Sequence, residues 1–162
     1  NKVEKFIPPN KGKSHSLRVI REMLFHKAEK NKTNISIALE HAHKVLKRKC
    51  IIFLISDFYD DTFHHNLKLI NKKHDLINIK IEDEAEINFP KLGFIKLQDV
   101  ENNNTSWINT NSNNFNEYIN SNNNKTFESF CKINDIDLIN INTRNGYIAP
   151  LDNFFNKRKN NK

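Results

Sequence analysis

The chemistry this sequence could carry gathers around one carboxylate. The run Ile51-Ile52-Phe53-Leu54-Ile55 is uninterrupted apolar sequence, and Ser56 and Asp57 follow it directly. A strand of this kind belongs inside a parallel sheet covered on both faces, and in such sheets ligands collect at the carboxyl ends of the strands. A second oxygen donor, Thr33, lies in the polar turn Asn31-Lys32-Thr33-Asn34, ahead of an amphipathic helix that leads into that strand. One helix and its strand return the chain to the same rim of the sheet, which brings Thr33 and Asp57 to one side. Mg²⁺ is held in this manner, by one or two carboxylates with waters completing an octahedron.

Other readings of Asp57 stand beside the cation site. A phospho-acceptor Asp also follows a hydrophobic strand, but it needs paired acids on an earlier strand and a later Lys. A nucleophile of the Asp-X-Asp type needs a spacing that Asp57, Asp60 and Asp61 do not have. A GTP site starting from Asn31-Lys32-Thr33-Asn34 lacks the Asp that reads the base and any Gly-Lys-Ser/Thr phosphate loop. The plainest reading makes Thr33 and Asp57 caps of neighbouring helices. The seven His give no zinc spacing: His41 and His43 do not share a helix face, and His64-His65 have no Cys or acid at ligand distance in sequence. No Ser-His-Asp or Cys-His order points to nucleophilic catalysis.

The elements that must position these residues follow from periodicity. Leu17, Ile20 and Leu24, with Val19 and Met23, predict a helix over residues 14–25, capped by Ser14 or Ser16. Ile35, Ala38, Leu39, Ala42, Val45 and Leu46 predict a second, with Asn34 as its N-cap. Residues 51–56 form the central buried strand, 61–73 a third helix begun by Asp60 and Asp61, and 76–81 the next strand. An irregular acidic stretch spans 82–90. Residues 93–100 and 106–110 read as a hairpin, 113–133 as an Asn-rich helix, 137–142 as a strand and 147–157 as a closing helix. Val3, Phe6 and Ile7 read as a strand end stopped by Pro8-Pro9. Alternation of strands and helices is the signature of an α/β domain with a parallel sheet.

Composition narrows the partners. At 162 residues the chain fits one domain. The net charge of +7 would suit a polyanion, yet the cations are scattered or sit at helix ends (residues 44–49 and 157–159), without interleaved aromatics. A basic nucleic-acid-binding domain is therefore an alternative, and no nucleic-acid partner is expected. Two distant cysteines, Cys50 and Cys131, argue for a reducing, cytoplasmic compartment, with Cys50 a small core residue. No signal peptide or apolar span of membrane length is present, so no membrane segment is expected. The start at Asn1, without Met, reads as part of a longer protein.

Several segments, in order, resemble the bacterial domain-of-unknown-function 58 family. They are Val3-Glu4-Lys5-Phe6-Ile7-Pro8-Pro9, then Lys11-Gly12-Lys13 with His15, and Leu17 through Glu22. Lys32-Thr33-Asn34-Ile35 leads to Ala38-Leu39, and Ile55-Ser56-Asp57-Phe58, Lys73-His74-Asp75, Leu92-Gly93 and Asp99 with Glu101 follow. Thr143, Tyr147, Leu151 and Phe154-Phe155 complete the set. The resemblance implies a Rossmann-like von Willebrand factor A-type parallel sheet flanked by helices, N-terminally truncated, with residues 1–162 forming a single partial domain. It implies a metal-ion-dependent adhesion site for Mg²⁺ or Mn²⁺, in which Thr33 and Asp57 are two ligands. The Asp-X-Ser-X-Ser part and its strand would lie upstream of Asn1, so the site is incomplete in this chain. Asn34 departs from the Asp that often follows the Thr. The resemblance further implies a non-enzymatic adaptor for a MoxR-type AAA+ ATPase in maturing protein complexes or metal centres. A phosphotransfer or hydrolytic enzyme using Asp57 is the alternative.

Overall fold

The computed structural model describes residues 2–27, 33–59, 62–84, 91–98, 105–112 and 124–160. Along them run α1 (Lys13–Phe25), α2 (Ile35–Val45), β1 (Ile51–Ser56), α3 (His64–Lys73) and β2 (Asp75–Glu82). There follow β3 (Phe94–Gln98), β4 (Thr105–Asn109), α4 (Asn124–Ile133), β5 (Asp137–Asn142) and α5 (Ile148–Asn160). The expected α/β class is observed. β1, β2 and β5 form a three-stranded parallel sheet in the order β1-β2-β5. β3 and β4 form the expected antiparallel hairpin, with Phe94 opposite Asn109 and Gln98 opposite Thr105. Its turn, residues 101–104, lies outside the described residues, as do Asp60, Asp61 and residues 113–123 of the expected long helix.

Alternation along β2 divides the core in two. Leu76, Asn78 and Lys80 face one way. There Ile35 and Leu39 of α2, Leu67 and Ile70 of α3, and Phe127 and Cys131 of α4 close over Leu76, together with Phe58, Phe63 and Ile136. Ile77 and Ile79 face the other way and meet Ile139 and Ile141 of β5 beneath Leu151 and Phe154 of α5. β2 is therefore the central strand, buried continuously from Leu76 to Lys80. This corrects the expectation that residues 51–55 occupy the centre. β1 pairs only with β2 and is an edge strand of the described sheet. Ile52 and Leu54 pack on the helix-covered face, whereas Ile51, Phe53 and Ile55 remain 59%, 48% and 56% exposed, the Phe155 ring lying 6.4 Å from Phe53.

Other boundaries move for local reasons. α2 begins as expected, with Asn34 Oδ1 accepting from the Ile37 N–H at 3.0 Å. α1 is not capped by a serine side chain: Gly12, at φ +98°, precedes it, and Ser14 and Ser16 fall inside the helix. Its stripe of Leu17, Ile20 and Leu24 stays exposed. What holds α1 is polar: Lys5 pairs with Glu22 at 2.9 Å, and His26 lies 3.4 Å from Glu4. Val3, Phe6 and Ile7 form no strand, and Phe6 instead sets its ring edge-on to His41. α3 starts at His64, later than expected, and its Lys73 reaches back to the Leu46 carbonyl at 2.7 Å, a cation at the carboxyl end of α2. Among the described residues no helix is long and apolar enough to cross a membrane.

Two polar groups in this core carry measurable consequences. Asn78 is fully buried between Leu54 and Leu138 in the strand register, and among the described residues neither its Oδ1 nor its Nδ2 finds a partner beyond the weakly hydrogen-bonding Cys131 thiol. The Cys131 thiol beside it is pushed up to about 12, first by burial and then by the Glu128 charge. Because an unsatisfied buried amide costs about 1–3 kcal/mol, Asn78→Val is expected to raise the unfolding free energy by roughly 1 kcal/mol, measured by urea titration. His74 is buried, its Nε2 without a hydrogen-bond partner among the described residues, and loss of solvent, reinforced by Lys73 and His43, holds its imidazole below the ordinary 6.5. Below that value the unfolded chain binds a proton that the folded chain resists. Stability is thus full above about pH 6.5 and falls as the pH drops beneath it. His74→Leu should flatten that fall, read from urea midpoints at neutral and mildly acidic pH.

Candidate functional site

The carboxyl end of β1 is shaped by a reversal of the backbone immediately after Asp57. Phe58 adopts φ +59°, a left-handed conformation that bulky residues avoid. The core holds it there: Phe58 is buried, its ring stacked 4.5 Å from Phe127 and tilted 5.7 Å from Phe63. Turning Phe58 inward leaves Asp57 exposed at the rim. Asp57 Oδ1 accepts from the Ser56 hydroxyl at 3.2 Å and from the Tyr59 N–H at 3.4 Å. Ser56 Oγ in turn accepts from the Phe58 N–H at 3.1 Å. Asp57 Oδ2 has no hydrogen bond among the described residues.

Thr33 lies just ahead of α2, which packs mainly against α3. Ser36 Oγ, in the first turn, donates to the Thr62 carbonyl at 3.0 Å and ties α2 to the segment that follows β1. Asn34, not Thr33, supplies the helix cap, which leaves the exposed Thr33 hydroxyl uncommitted to that role. No hydrogen bond joins Thr33 to Asp57.

Beneath this rim the sheet is polar where a plain core would be apolar. Lys80 pairs with Ser56 across the β1–β2 register and is buried, its Nζ 2.9 Å from Glu82. A cation so placed needs a carboxylate partner. On β5, Asn140 donates to Glu128 at 2.6 Å and Asn142 to Glu84 at 2.8 Å. Sequence reading passed over Lys80, although a lysine within Leu76-Ile77-Asn78-Ile79-Lys80-Ile81 was a legible signal. It also missed a pairing at the opposite end of the sheet, where Cys50 Sγ lies 3.4 Å from His74 Nδ1. Cys50 is half-buried rather than a core residue, and the buried cysteine is Cys131. Separation by 24 residues gave that contact no signature in the sequence.

The donors at the rim are hard oxygens, a carboxylate and a hydroxyl, which suit Mg²⁺ or Mn²⁺ rather than a soft metal. Among the described residues no group of three or more His, Cys, Asp or Glu side chains converges as a complete metal shell.

A parallel sheet with helices packed on both faces defines an α/β protein. The family described as Protein of unknown function DUF58 matches residues 1–128, and the chain belongs to it. β5 and α5 lie beyond the matched segment yet complete the same sheet and its second face. No curated protein and no solved structure matches the chain.

The strain at Phe58 separates two substitutions that would otherwise rank the other way. Phe58→Ala loses the ring stack and is expected to cost about 3 kcal/mol. Phe58→Gly loses the same ring but accepts positive φ freely, so it should be more stable than the alanine variant by about 1 kcal/mol. Urea unfolding of the two variants side by side measures the difference.

Proposed function

We propose that this domain is a non-enzymatic interaction module of von Willebrand factor A type, whose rim binds a divalent cation and, through it, a carboxylate of a protein partner. The observation that supports the reading is the exposed Asp57 carboxylate at the end of β1, whose Oδ1 accepts two local hydrogen bonds while Oδ2 has none among the described residues. Asp57 and Thr33 would hold the cation. When bound, the cation supplies a positive charge with exchangeable positions, which a partner's carboxylate can occupy. The remaining ligands would come from a strand pairing with the open edge of β1, carrying the Asp-X-Ser-X-Ser motif that the resemblance implies.

The resemblance also supports the partner, a MoxR-type AAA+ ATPase in the cytoplasm, with a role in maturing protein complexes or metal centres. Such a function asks for reversible binding at an exposed rim and for no enclosed reaction chamber. The test is Mn²⁺-dependent association with that ATPase in a pull-down. Wild type should bind in Mn²⁺ and release in EDTA, and Asp57→Ala should lose the association while its thermal melt stays within about 2 °C of wild type, as expected of an exposed substitution. Equal association by Asp57→Ala would overturn the reading. Retention on DNA that falls steeply with salt would favour the nucleic-acid alternative instead.

A further inference from the structure

The outer margin of β1 has a pattern of its own. Asp75 donates its N–H to the Cys50 carbonyl at 2.9 Å, and Ile51 stands opposite Asp75 in the β1–β2 register. Cys50, Ile52, Leu54 and Ser56 therefore turn their backbone groups toward β2. Ile51, Phe53 and Ile55 turn theirs toward the margin, where no strand pairs among the described residues. Their side chains form the half-exposed face of the strand, while Ile52 and Leu54 pack beneath the helices. Charge is unequal along this edge. Lys47-Arg48-Lys49 precedes it and Asp57 follows it, and Lys49 and Asp57 are both exposed.

We propose that this margin is a homodimer interface, in which a second copy of the chain pairs its own β1 antiparallel about a two-fold axis beside Phe53. The register follows from the backbone. Residues directly opposite in an antiparallel pair exchange both hydrogen bonds or neither, so odd-numbered residues must face odd-numbered ones across the margin. The pairing centred on the strand sets Phe53 against the partner's Phe53 and Ile51 against the partner's Ile55. It also sets Lys49 opposite the partner's Asp57, so opposite charges meet at both ends. Slipping the register by two residues sets Lys49 against the partner's Ile55 or the partner's Tyr59 instead. A parallel arrangement sets lysine beside lysine and aspartate beside aspartate. Cross-strand contact covers the side chains that one copy leaves half-exposed. A two-fold pairing is closed, since each margin is consumed and no third chain can add. The pairing does not rest on the cation reading, and a second copy and the strand invoked there exclude one another at this margin.

Sedimentation equilibrium of the full chain is the test, with a thermal melt of each variant. Wild type is expected to pass from the 19.1 kDa of one chain to twice that mass as concentration rises through the micromolar range, as suits a small interface. Phe53→Lys sets two ammonium groups face to face at the axis and should hold the chain monomeric. Lys49→Glu and Asp57→Lys each place like charges opposite at both ends and should weaken the dimer roughly tenfold. The double variant that exchanges the two charges should recover wild-type association. Both charged positions are exposed, so the test stands even where Phe53→Lys fails to fold. A chain that stays single across the range, or that grows past two copies, overturns the proposal. A dimer left unchanged by Lys49→Glu and Phe53→Lys overturns it as well, and failure of the exchanged variant to recover association overturns the register.

Discussion

A strand buried on both faces and paired on both sides can survive only if every neighbour is in place, and β2 imposes that demand here. Its residues from Leu76 to Lys80 are all buried, and β1 and β5 flank it. Coverage of one face calls for α2, α3 and α4, and of the other for α5. Burial of apolar surface drives this arrangement, and it also explains where polar groups are tolerated. Lys80 is admitted beside Glu82, close to the strand's end, while Asn78 sits deeper between two leucines with only the Cys131 thiol beside it among the described residues.

The two ends of the sheet meet opposite requirements. At the amino end the strands are fastened. Arg158 of α5 reaches Asp75 at 2.6 Å and Asp137 at 3.1 Å, the first residues of β2 and β5, and lies over the Phe154 ring. The hydrogen bond to Asp75 strengthens the guanidinium's hold on its proton, while burial pushes the Asp137 carboxyl up despite the nearby cation. These groups are partly exposed, so their contribution is more to geometry than to stability. His74 and Cys50 close the same end beside them, where the Asp75 N–H bonds to the Cys50 carbonyl at 2.9 Å. At the carboxyl end the chain turns outward, and the aromatic group of Phe58, Phe63 and Phe127 supplies the rigidity that ion pairs supply at the other.

Much of this architecture could be read from residue patterns, and what could not has a physical cause. The helix at residues 35–45 announced itself through its period and its Asn34 cap, and β5 through Asp137-Leu138-Ile139-Asn140-Ile141-Asn142. Strand position was misjudged because Ile51 to Ile55 carries the same apolar character as a central strand, and hydrophobicity does not record how many neighbours a strand has. The stripe of α1 predicted a packed helix for a similar reason, since periodicity identifies an apolar face but not what covers it. At the end of β1, Asp57 was visible as a residue type after a recognisable strand. The left-handed Phe58 was not, because positive φ in a phenylalanine is imposed by tertiary packing and leaves no local sequence signal.

The open margin of β1 has a colloidal consequence. Natural sheets protect their edges with lysine, proline, bulges or very short strands. Ile51 to Ile55 has none of these; among the described residues no strand pairs with its outer margin, and three half-exposed apolar side chains accompany it. Only Lys47-Arg48-Lys49 immediately before it acts as a charged gatekeeper. In concentrated solution this segment is the natural template for fibril-like stacking. Pairing or covering that margin would keep the protein dispersed.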